Sequence, residues 1–304
     1  MATASPLHHA TSRARLSGII FSLLASIGFS AKAILVKLAY AYPVDTVTLL
    51  ALRMSFSLPV FLGLSVWLGL RRDSASLELK DWFAVISLGL LGYYLSSLLD
   101  FLGLQYISAS LERLILFLYP TLVIVLSALI FRQKIGRRAI LAIALSYAGI
   151  ILVFLHDMSY TQKGMLLGSL LVFASTCTYA LYLIGAGRTI SKIGAMRFMA
   201  YAMTVACLAT ILQFTIIHPF AALEVPRQVY ELGVAMAIFS TILPGFFLAA
   251  SIRRIGSGHA ALIGSVGPVA TIFMAHTILG ESISVLQIAG SMLVLAGVLT
   301  ISIR

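Results

Sequence analysis

Residues 111–131 read LERLILFLYPTLVIVLSALIF, an apolar run with Glu112 and Arg113 near its start and Tyr119 and Pro120 further along. An α-helix rises 1.5 Å per residue, so about 20 apolar residues cross the ~30 Å hydrocarbon core of a bilayer. The run meets this length. It therefore predicts a transmembrane helix that takes two neighbouring charged side chains into the membrane.

The whole chain has the composition of an integral membrane protein. It has 304 residues, of which 61% are hydrophobic and 10% charged, and its mean hydropathy is +1.05. Soluble domains carry about 25% charged residues, so an ordinary soluble protein is excluded. The net charge of +11 lies in short Lys and Arg clusters between apolar runs. Such clusters favour membrane orientation over a nucleic-acid partner.

Ten apolar runs predict an all-α integral membrane protein with ten transmembrane helices. Residues 1–15 are polar and are predicted to form a disordered cytoplasmic N-terminus. The run that follows is too long for the core of a signal peptide, so it is predicted to be an uncleaved first span. The predicted spans are 16–38, 46–68, 82–104, 108–131, 138–155, 164–185, 197–217, 230–252, 259–279 and 285–303.

The distribution of positive charge predicts the orientation in a cell membrane. If the N-terminus is cytoplasmic, fifteen Lys and Arg residues lie on the inner side, and three (Lys37, Lys163 and Arg227) lie on the outer side. Cytoplasmic loops of membrane proteins carry an excess of Lys and Arg. Both termini are therefore predicted to be cytoplasmic.

A shift of 148 residues overlays 107–151 on 255–299 without a gap. Eleven of the 45 positions are identical, including Pro120 with Pro268 and Gly149 with Gly297. Two halves of five spans each follow, 16–155 and 164–303. Because five is odd, the second half is inverted in the membrane, an arrangement found in secondary transporters.

Aligned prolines and small residues give this repeat two structural predictions. Pro120 and Pro268 each remove a backbone hydrogen bond within a span, so each predicts a kinked or broken helix. Gly149 and Gly297 each have a small residue two helical turns earlier, Ala142 in the first copy. The resulting small-residue faces suit close helix packing, either within the chain or between two chains of a homodimer.

The pattern YP…Q at 119–133, GP…LGES at 267–282 and the G…AG endings of the fifth and tenth spans resemble the drug/metabolite transporter superfamily. The resemblance is to its EamA-type ten-helix members and covers residues 16–303. Members of this family are mostly exporters of amino acids and other small metabolites, so the resemblance implies that activity. The family often has Glu where Gln133 stands, whereas the second copy keeps Glu281.

Five ionisable residues lie within spans of the first half. A charge at mid-bilayer costs ~2.5–3.5 kcal/mol, so such residues are expected to pair with one another or to meet water. Together they carry a net charge of +1 and are predicted to line a hydrated vestibule open to the outer side. These residues are Lys32, Arg53, Asp100, Glu112 and Arg113.

Each ionisable residue also has a structural alternative. Lys32, on one helix face with Gly28, either contacts a ligand in the space beside that glycine or extends to the outer headgroups. Arg53 either holds a substrate carboxylate or pairs with Asp100 or Glu112. Asp100, on the same face as Tyr93, has either a proton-coupling or a structural role. Glu112 and Arg113 mark either the outer mouth of a polar cavity or only the interfacial end of a span.

Six tyrosines lie well inside spans. A buried tyrosine needs a hydrogen-bond partner for its hydroxyl, and several together can line a cavity that binds flat or apolar groups. Ordinary helix packing is the alternative for each of them. They are Tyr94, Tyr119, Tyr147, Tyr179, Tyr182 and Tyr201.

No motif in the chain predicts an enzyme, a cofactor or a metal site. There is no phosphate-binding loop, zinc-binding HExxH pair or GxSxG nucleophile motif, and Cys177 and Cys207 both fall in apolar runs. We therefore predict a secondary active transporter that exports a small organic metabolite by alternating access, coupled to protons or to a counter-substrate. The net positive, tyrosine-rich cavity favours zwitterionic or anionic solutes such as amino acids. A channel and a non-transporting receptor or scaffold are the alternatives.

Overall fold

The computed structural model describes residues 12–71, 77–158 and 163–302. This part of the chain is all-α, which confirms the predicted fold class, and one helix coincides with each of the ten predicted spans. Nine helices contain a stretch apolar and long enough to cross a membrane, and the apolar stretch of the tenth, Val285–Thr300, is shorter. The helices are α1 (Ser12–Ala39), α2 (Thr46–Gly69), α3 (Leu79–Leu104), α4 (Ala109–Phe131), α5 (Arg137–Met158), α6 (Met165–Ile193), α7 (Ala195–Ile217), α8 (Arg227–Gly256), α9 (Gly258–Leu279) and α10 (Val285–Ser302).

Helix α1 begins at Ser12, inside the segment predicted to be disordered, and residues 1–11 of that segment lie outside the described residues. Short connections make successive helices alternate in direction. We call the side of the bundle at which α1 begins the near side, and the opposite side the far side.

The two five-helix repeats share their irregularities as well as their helices. Each departure from regular α-helix in the first repeat has a counterpart 148 residues later, an offset that matches the sequence overlay. The pairs are π-helical turns at Leu90–Leu95 and Ile238–Ile242, helix breaks that begin at Phe117 and Ser265, and left-handed residues at Arg132 and Gly280.

Both helix breaks lie directly before a proline. Helix α4 consists of Ala109–Leu116 and Tyr119–Phe131, and Pro120 lies in the first turn of the second segment. Pro268 has the same position in the segment Gly267–Leu279 of α9. A proline ring fits the first turn of a helix but clashes with the preceding turn of a continuous one.

The main helix packing joins one repeat to the other. Helix α1 packs on α8 and α9, α6 packs on α3 and α4, α2 packs on α7, and α5 packs on α10. Each contact therefore has a counterpart with the repeats exchanged. The two repeats form one bundle with a pseudo-twofold arrangement.

The small-residue faces predicted on α5 and α10 meet each other inside the chain. The Cα of Gly149 lies against the backbone carbonyl of Gly290, and Gly297 lies against Ser146 and the carbonyl of Ala142, so an added Cβ would clash at either glycine. Close packing of small residues is a standard way to join helices in lipid. These faces are used within the chain, and a homodimer stays a prediction without an assigned surface.

Helix α1 is tied to α9 by a ladder of hydroxyl groups. Serines spaced four residues apart lie on one face of α1 and donate hydrogen bonds to backbone carbonyls of α9. These carbonyls lie around the break in α9, where the backbone leaves acceptors free. The bonds are Ser22 to Ala260 at 2.9 Å, Ser26 to Gly264 at 3.0 Å and Ser30 to Gly267 at 2.9 Å.

Candidate functional site

Three charged side chains from α1, α3 and α4 meet at the interface between the repeats. Lys32 Nζ lies 2.5 Å from Asp100 Oδ2 and 3.1 Å from Glu112 Oε1. The exposed fractions of these side chains are 16% for Lys32, 3% for Asp100 and 0% for Glu112. We call Lys32, Asp100 and Glu112 the ionic triad.

Local structure fixes each member of the ionic triad. Lys32 lies two residues beyond Ser30, so the bonds to α9 hold its part of α1. Asp100 lies on the α-helical segment that follows the π-helical turn of α3. Glu112 lies in the first turn of α4, whose N-cap Ser108 accepts a hydrogen bond from the Leu111 backbone N–H at 3.1 Å.

The structure fills the space that the sequence suggested beside Lys32. Gly28 packs directly against the Pro244 ring and the Phe239 carbonyl of α8. The absence of a Cβ at Gly28 therefore lets α1 approach α8. It does not open a ligand space there.

The carboxylates of the ionic triad have unused hydrogen-bonding capacity. Asp100 Oδ1 and both carboxylate oxygens of Glu112 are buried without a hydrogen-bond partner in the described part of the chain. Glu112 Oε1 is close to Lys32 Nζ, but the angles do not make a hydrogen bond. Buried polar groups are almost always paired in folded proteins, so these oxygens are able to accept a further donor.

Arg53 points into the same region from α2. Its Nε donates a hydrogen bond to Thr241 Oγ1 in the π-helical turn of α8 at 2.9 Å, and its guanidinium carbon lies 5.3 Å from the Phe101 ring centroid. Its Nη1 is buried and has no partner among residues 12–71, 77–158 and 163–302. No ion pair within 4.0 Å joins Arg53 to Asp100 or Glu112 in those residues, so its guanidinium retains a free donor.

Arg113 extends from α4 to the break in α9. A Cβ built on Gly267 would lie 2.6 Å from Arg113 Nη2, so the end of the arginine side chain packs closely against this glycine. Arg113 Nε is also buried without a hydrogen bond in the described residues. Gly267 is the counterpart of Tyr119 in the repeat, so the second copy has a glycine packed against Arg113, Ser26 and Ser30 where the first has a ring.

A series of aromatic rings begins beside Arg113 and runs across α4, α6 and α3. The ring centroids are 5.7 Å apart for Tyr119 and Tyr179, and 5.5 Å apart for Tyr179 and Tyr182. The hydroxyls of Tyr182 and Tyr93 lie 2.9 Å apart. These rings supply a flat, partly polar wall of the kind that binds aromatic or apolar groups.

Some side chains near the site were predicted and others were not. Tyr94 is half-buried on α3 and lies outside the ring series among the described residues. The sequence placed Tyr93 only on the helix face of Asp100. In the structure Tyr93, and not Tyr94, joins the ring series through its contact with Tyr182. Thr241 was missed because nothing in its sequence context marks the π-helical turn that aims it at Arg53.

The sequence marked Glu281 only as the acid kept at the position of Gln133, and the structure gives its carboxylate three hydrogen bonds. Its Oε1 accepts a hydrogen bond from the Ala109 backbone N–H at 2.8 Å. Its Oε2 accepts from the Ser110 backbone N–H at 3.2 Å and from Ser110 Oγ at 2.7 Å. Glu281 is therefore bound to the N-terminus of α4, where the helix dipole favours a negative charge, and joins the two repeats on the far side. His276 Nδ1 lies 2.9 Å from the Glu281 carbonyl oxygen.

A separate ion cluster joins α3 to α6 on the near side. Lys192 Nζ lies 2.5 Å from Asp81 Oδ2 and 3.3 Å from Glu78 Oε1, and Lys80 also pairs with Glu78 at 2.7 Å. Hydrogen bonds from Lys80 and Lys192 hold the pKa of the Glu78 carboxyl below its usual value. Among the residues that the structure describes, no group of His, Cys, Asp and Glu could hold a metal ion.

Two inverted five-helix repeats with a buried ionic site at their interface define a membrane transporter architecture. The chain belongs to the EamA-like transporter family, whose model matches residues 16–155 and 166–303. It is therefore a multi-pass membrane transporter of the drug/metabolite type, with a small molecule and the lipid bilayer as its partners.

Curated relatives and a solved structure agree with this assignment. The uncharacterized transporter YcbK of Bacillus subtilis (strain 168) is 30% identical over 284 residues, which cover 91% of this chain and 90% of the relative. The S-adenosylmethionine/S-adenosylhomocysteine transporter of Chlamydia trachomatis serovar L2 is 25% identical over 221 residues, 70% of this chain and 68% of the relative. One crystal structure matches with a TM-score of 0.63 and 17% identity over 94% of this chain and 97% of its own, which supports the fold alone.

Proposed function

We propose that this transporter is a secondary active exporter of a small zwitterionic metabolite of the amino-acid class. The observation that carries the proposal is that guanidinium nitrogens of Arg53 and Arg113 and carboxylate oxygens of Asp100 and Glu112 are all buried without a hydrogen bond in the described residues. All four lie at the interface between the repeats, where secondary transporters bind substrate.

The charges of this region suit the two ends of an α-amino acid. Arginine binds carboxylates through parallel N–H donors, and Arg113 Nε is buried without a hydrogen bond in the described residues. Glu112 is the next residue in the chain and offers two acceptors for an ammonium group. Such paired recognition favours a zwitterion over an ion of either sign.

The ring series supplies the side-chain pocket. Tyr119 and Tyr179 continue directly from Arg113, and Tyr182 extends the wall toward α3. An apolar or aromatic amino-acid side chain would pack against these rings. The substrates in the chlamydial relative's name, S-adenosylmethionine and S-adenosylhomocysteine, are themselves α-amino acids with a flat base attached, which supports this class.

Alternating access would follow from the way the repeats pack. The main helix contacts cross between repeats, and α4 and α9 are each interrupted before a proline near the site. The far side is joined by Glu281 and the near side by Lys192. Breaking one junction while keeping the other would open the site to one side at a time.

The near side is proposed to be cytoplasmic. Exposed Arg132 and Lys134 in the connection between α4 and α5, and exposed Arg137 and Arg138 in the first turn of α5, all lie on that side. Such an excess of positive charge marks cytoplasmic loops, so both termini would lie inside the cell. Export would then release substrate from the far side, and no chemical change of the substrate is proposed.

Counterflow in proteoliposomes tests the proposal. Vesicles loaded with unlabelled leucine, methionine, phenylalanine or tyrosine should accumulate the same labelled amino acid faster than empty vesicles, with a rate that saturates. Arg113→Gln should slow this accumulation by about 10- to 100-fold, whereas Lys134→Gln, which removes an exposed charge, should not. Uptake without saturation would identify a channel. Absence of uptake for amino acids, organic acids and cationic solutes alike would refute transport of this class.

A further inference from the structure

We propose that Glu112 exchanges a proton for the ammonium group of the substrate, which makes this chain a proton/amino-acid antiporter. This inference rests on the proposed function. It adds the identity of the coupling ion and the residue that binds it.

The first observation is the imbalance within the ionic triad. One ammonium group, on Lys32, lies between two carboxylates. Asp100 takes the shorter contact of 2.5 Å with a hydrogen bond, whereas Glu112 is 3.1 Å away without one. Lys32 therefore satisfies Asp100 first and leaves Glu112 with an incomplete partner.

The second observation is that Glu112 lies beside a second carboxylate, Asp100, and lacks a hydrogen-bond donor. The Glu112 side chain has no exposed surface, and neither carboxylate oxygen has a hydrogen bond in the described residues. An ionised carboxylate in such a place loses its hydration without a full replacement. Binding a proton or a new ammonium group removes this cost.

The third observation is that the site already holds an ammonium group. Lys32 Nζ lies between Asp100 and Glu112 and hydrogen-bonds only Asp100, so a substrate ammonium would take the place of Lys32 beside Glu112 while Lys32 keeps its bond to Asp100. The space between these carboxylates therefore fits an –NH₃⁺ group. A substrate ammonium bound to Glu112 would occupy the oxygens that a proton would otherwise use, so the two cannot bind together.

The charged and titratable groups around Glu112 come from several elements. They set the balance between its two occupants, because cations favour the ionised carboxylate and Asp100 disfavours it. A substrate carboxylate would neutralise Arg113 at the same time. The groups are Lys32 on α1, Arg53 on α2, Asp100 on α3, Arg113 and Tyr119 on α4, Tyr179 on α6, and Glu281 beyond α9.

The exchange balances protons and charge. On the near side, substrate binding ionises Glu112 and releases one proton to the cytoplasm. On the far side, the substrate leaves with its ammonium group intact and Glu112 takes up one proton. A net neutral zwitterion moves out and one proton moves in, so each cycle transfers one positive charge inward and responds to both the pH gradient and the membrane potential.

Proton release on substrate binding tests the exchange directly. Purified full-length protein in weakly buffered detergent solution should release about one proton per chain when it binds an amino acid active in counterflow, as linkage requires. The 2-hydroxy acid of the same side chain, which lacks the ammonium group, should release none. In vesicles, an inward proton gradient should accelerate efflux of the labelled amino acid.

Glu112→Gln is the decisive variant, with Glu231→Gln as its control because Glu231 is an exposed carboxylate on α8 paired with Arg227. Proton release should fall at least about tenfold in Glu112→Gln and stay unchanged in the control. Wild-type counterflow without proton release or gradient-driven efflux would overturn the antiport and leave the proposed function intact. Absence of wild-type counterflow would overturn both. The hydroxy-acid comparison uses the wild-type chain, so it decides the question even if Glu112→Gln does not fold.

Discussion

The two repeats have the same backbone and different chemistry. Asp100, Glu112 and Arg113 in the first repeat have the counterparts Leu248, Ala260 and Ala261 at the offset of 148 residues. The backbone carbonyl of Ala260 instead accepts the hydrogen bond of Ser22. The first repeat therefore supplies the reactive charges, and the second supplies a close-packed surface against which they are held.

The largest expected effect is on stability, from the shared cation of the ionic triad. Lys32→Met leaves two buried carboxylates without a partner and should lower the free energy of unfolding by about 3 kcal/mol. Thermal unfolding in detergent measures this change. The double variant Lys32→Met/Asp100→Asn should recover part of the loss, and Lys80→Met, which breaks an exposed pair, should cost less than about 1 kcal/mol. Equal losses for the two single variants would contradict a special role for the ionic triad.

The next effect contrasts a charge with its counterpart in the other repeat. Arg113→Gln removes a charge-assisted donor pair and should lower the counterflow rate by about 10- to 100-fold. The same change in the second repeat, Ala261→Gln, should alter the rate by less than about twofold because Ala261 is exposed on the helix surface. Similar losses of counterflow rate at both positions would show that both repeats bind the substrate.

The connections between helices give a third contrast. Glu281 binds the N-terminus of α4, whereas its counterpart Gln133 is exposed. Glu281→Gln should lower the free energy of unfolding by about 1–2 kcal/mol because a capping charge is lost, and Gln133→Ala should have no measurable effect. Thermal unfolding of the two variants side by side decides this. An effect of Gln133→Ala would reveal a partner for that side chain.

A smaller effect of opposite sign is expected at Arg132, one residue before Gln133. Arg132 has a φ of 53°, and its counterpart Gly280 has a φ of 69°. Left-handed backbone favours glycine, so Arg132→Gly should raise the free energy of unfolding by about 0.5–1 kcal/mol, and Gly280→Ala should lower it by a similar amount. Unfolding midpoints of both variants in one detergent give the comparison. A loss of stability in Arg132→Gly would mean that the arginine side chain has a compensating contact.

The smallest effect concerns pH at the near side. The pKa of Glu78 is lowered by hydrogen bonds from Lys80 and Lys192, so its ionised form stabilises the fold. This contribution is complete above the pKa of the unfolded carboxyl and is lost as the pH falls through the lower pKa of the folded state. Glu78→Gln should therefore flatten the acid limb of the plot of unfolding midpoint against pH. An unchanged acid limb would assign the acid sensitivity to other carboxylates.

The sequence predicts much of this fold because lipid imposes simple rules. The apolar run 111–131 and its nine counterparts had to be helices, since helices satisfy every backbone polar group within the segment. The alignment of Pro120 with Pro268 also revealed the internal repeat. The exact π-helical turns could not be read from LLGYYL or IFSTI, because their widening depends on contacts with the opposite repeat.

The sequence identified the residues of the candidate site but not their contacts with one another. Charges inside spans had to find partners, which identified the ionic triad members and both arginines. The sequence could not assign Asp100 to Lys32 rather than to Arg53, because this depends on the rotation of each helix. Nor could it show that Tyr93, rather than Tyr94, faces Tyr182.

The π-helical turn at Leu90–Leu95 contains one residue more than the regular α-helical backbone that could replace it in α3. Removing one residue there would allow an ordinary α-helix and would rotate everything that follows by about 100° relative to what precedes it. Asp100 would then swing away from Lys32 while Asp81 kept its place beside Lys192. This one additional residue therefore sets the rotation of one end of α3 relative to the other. Deletions at this point should be far more harmful than substitutions.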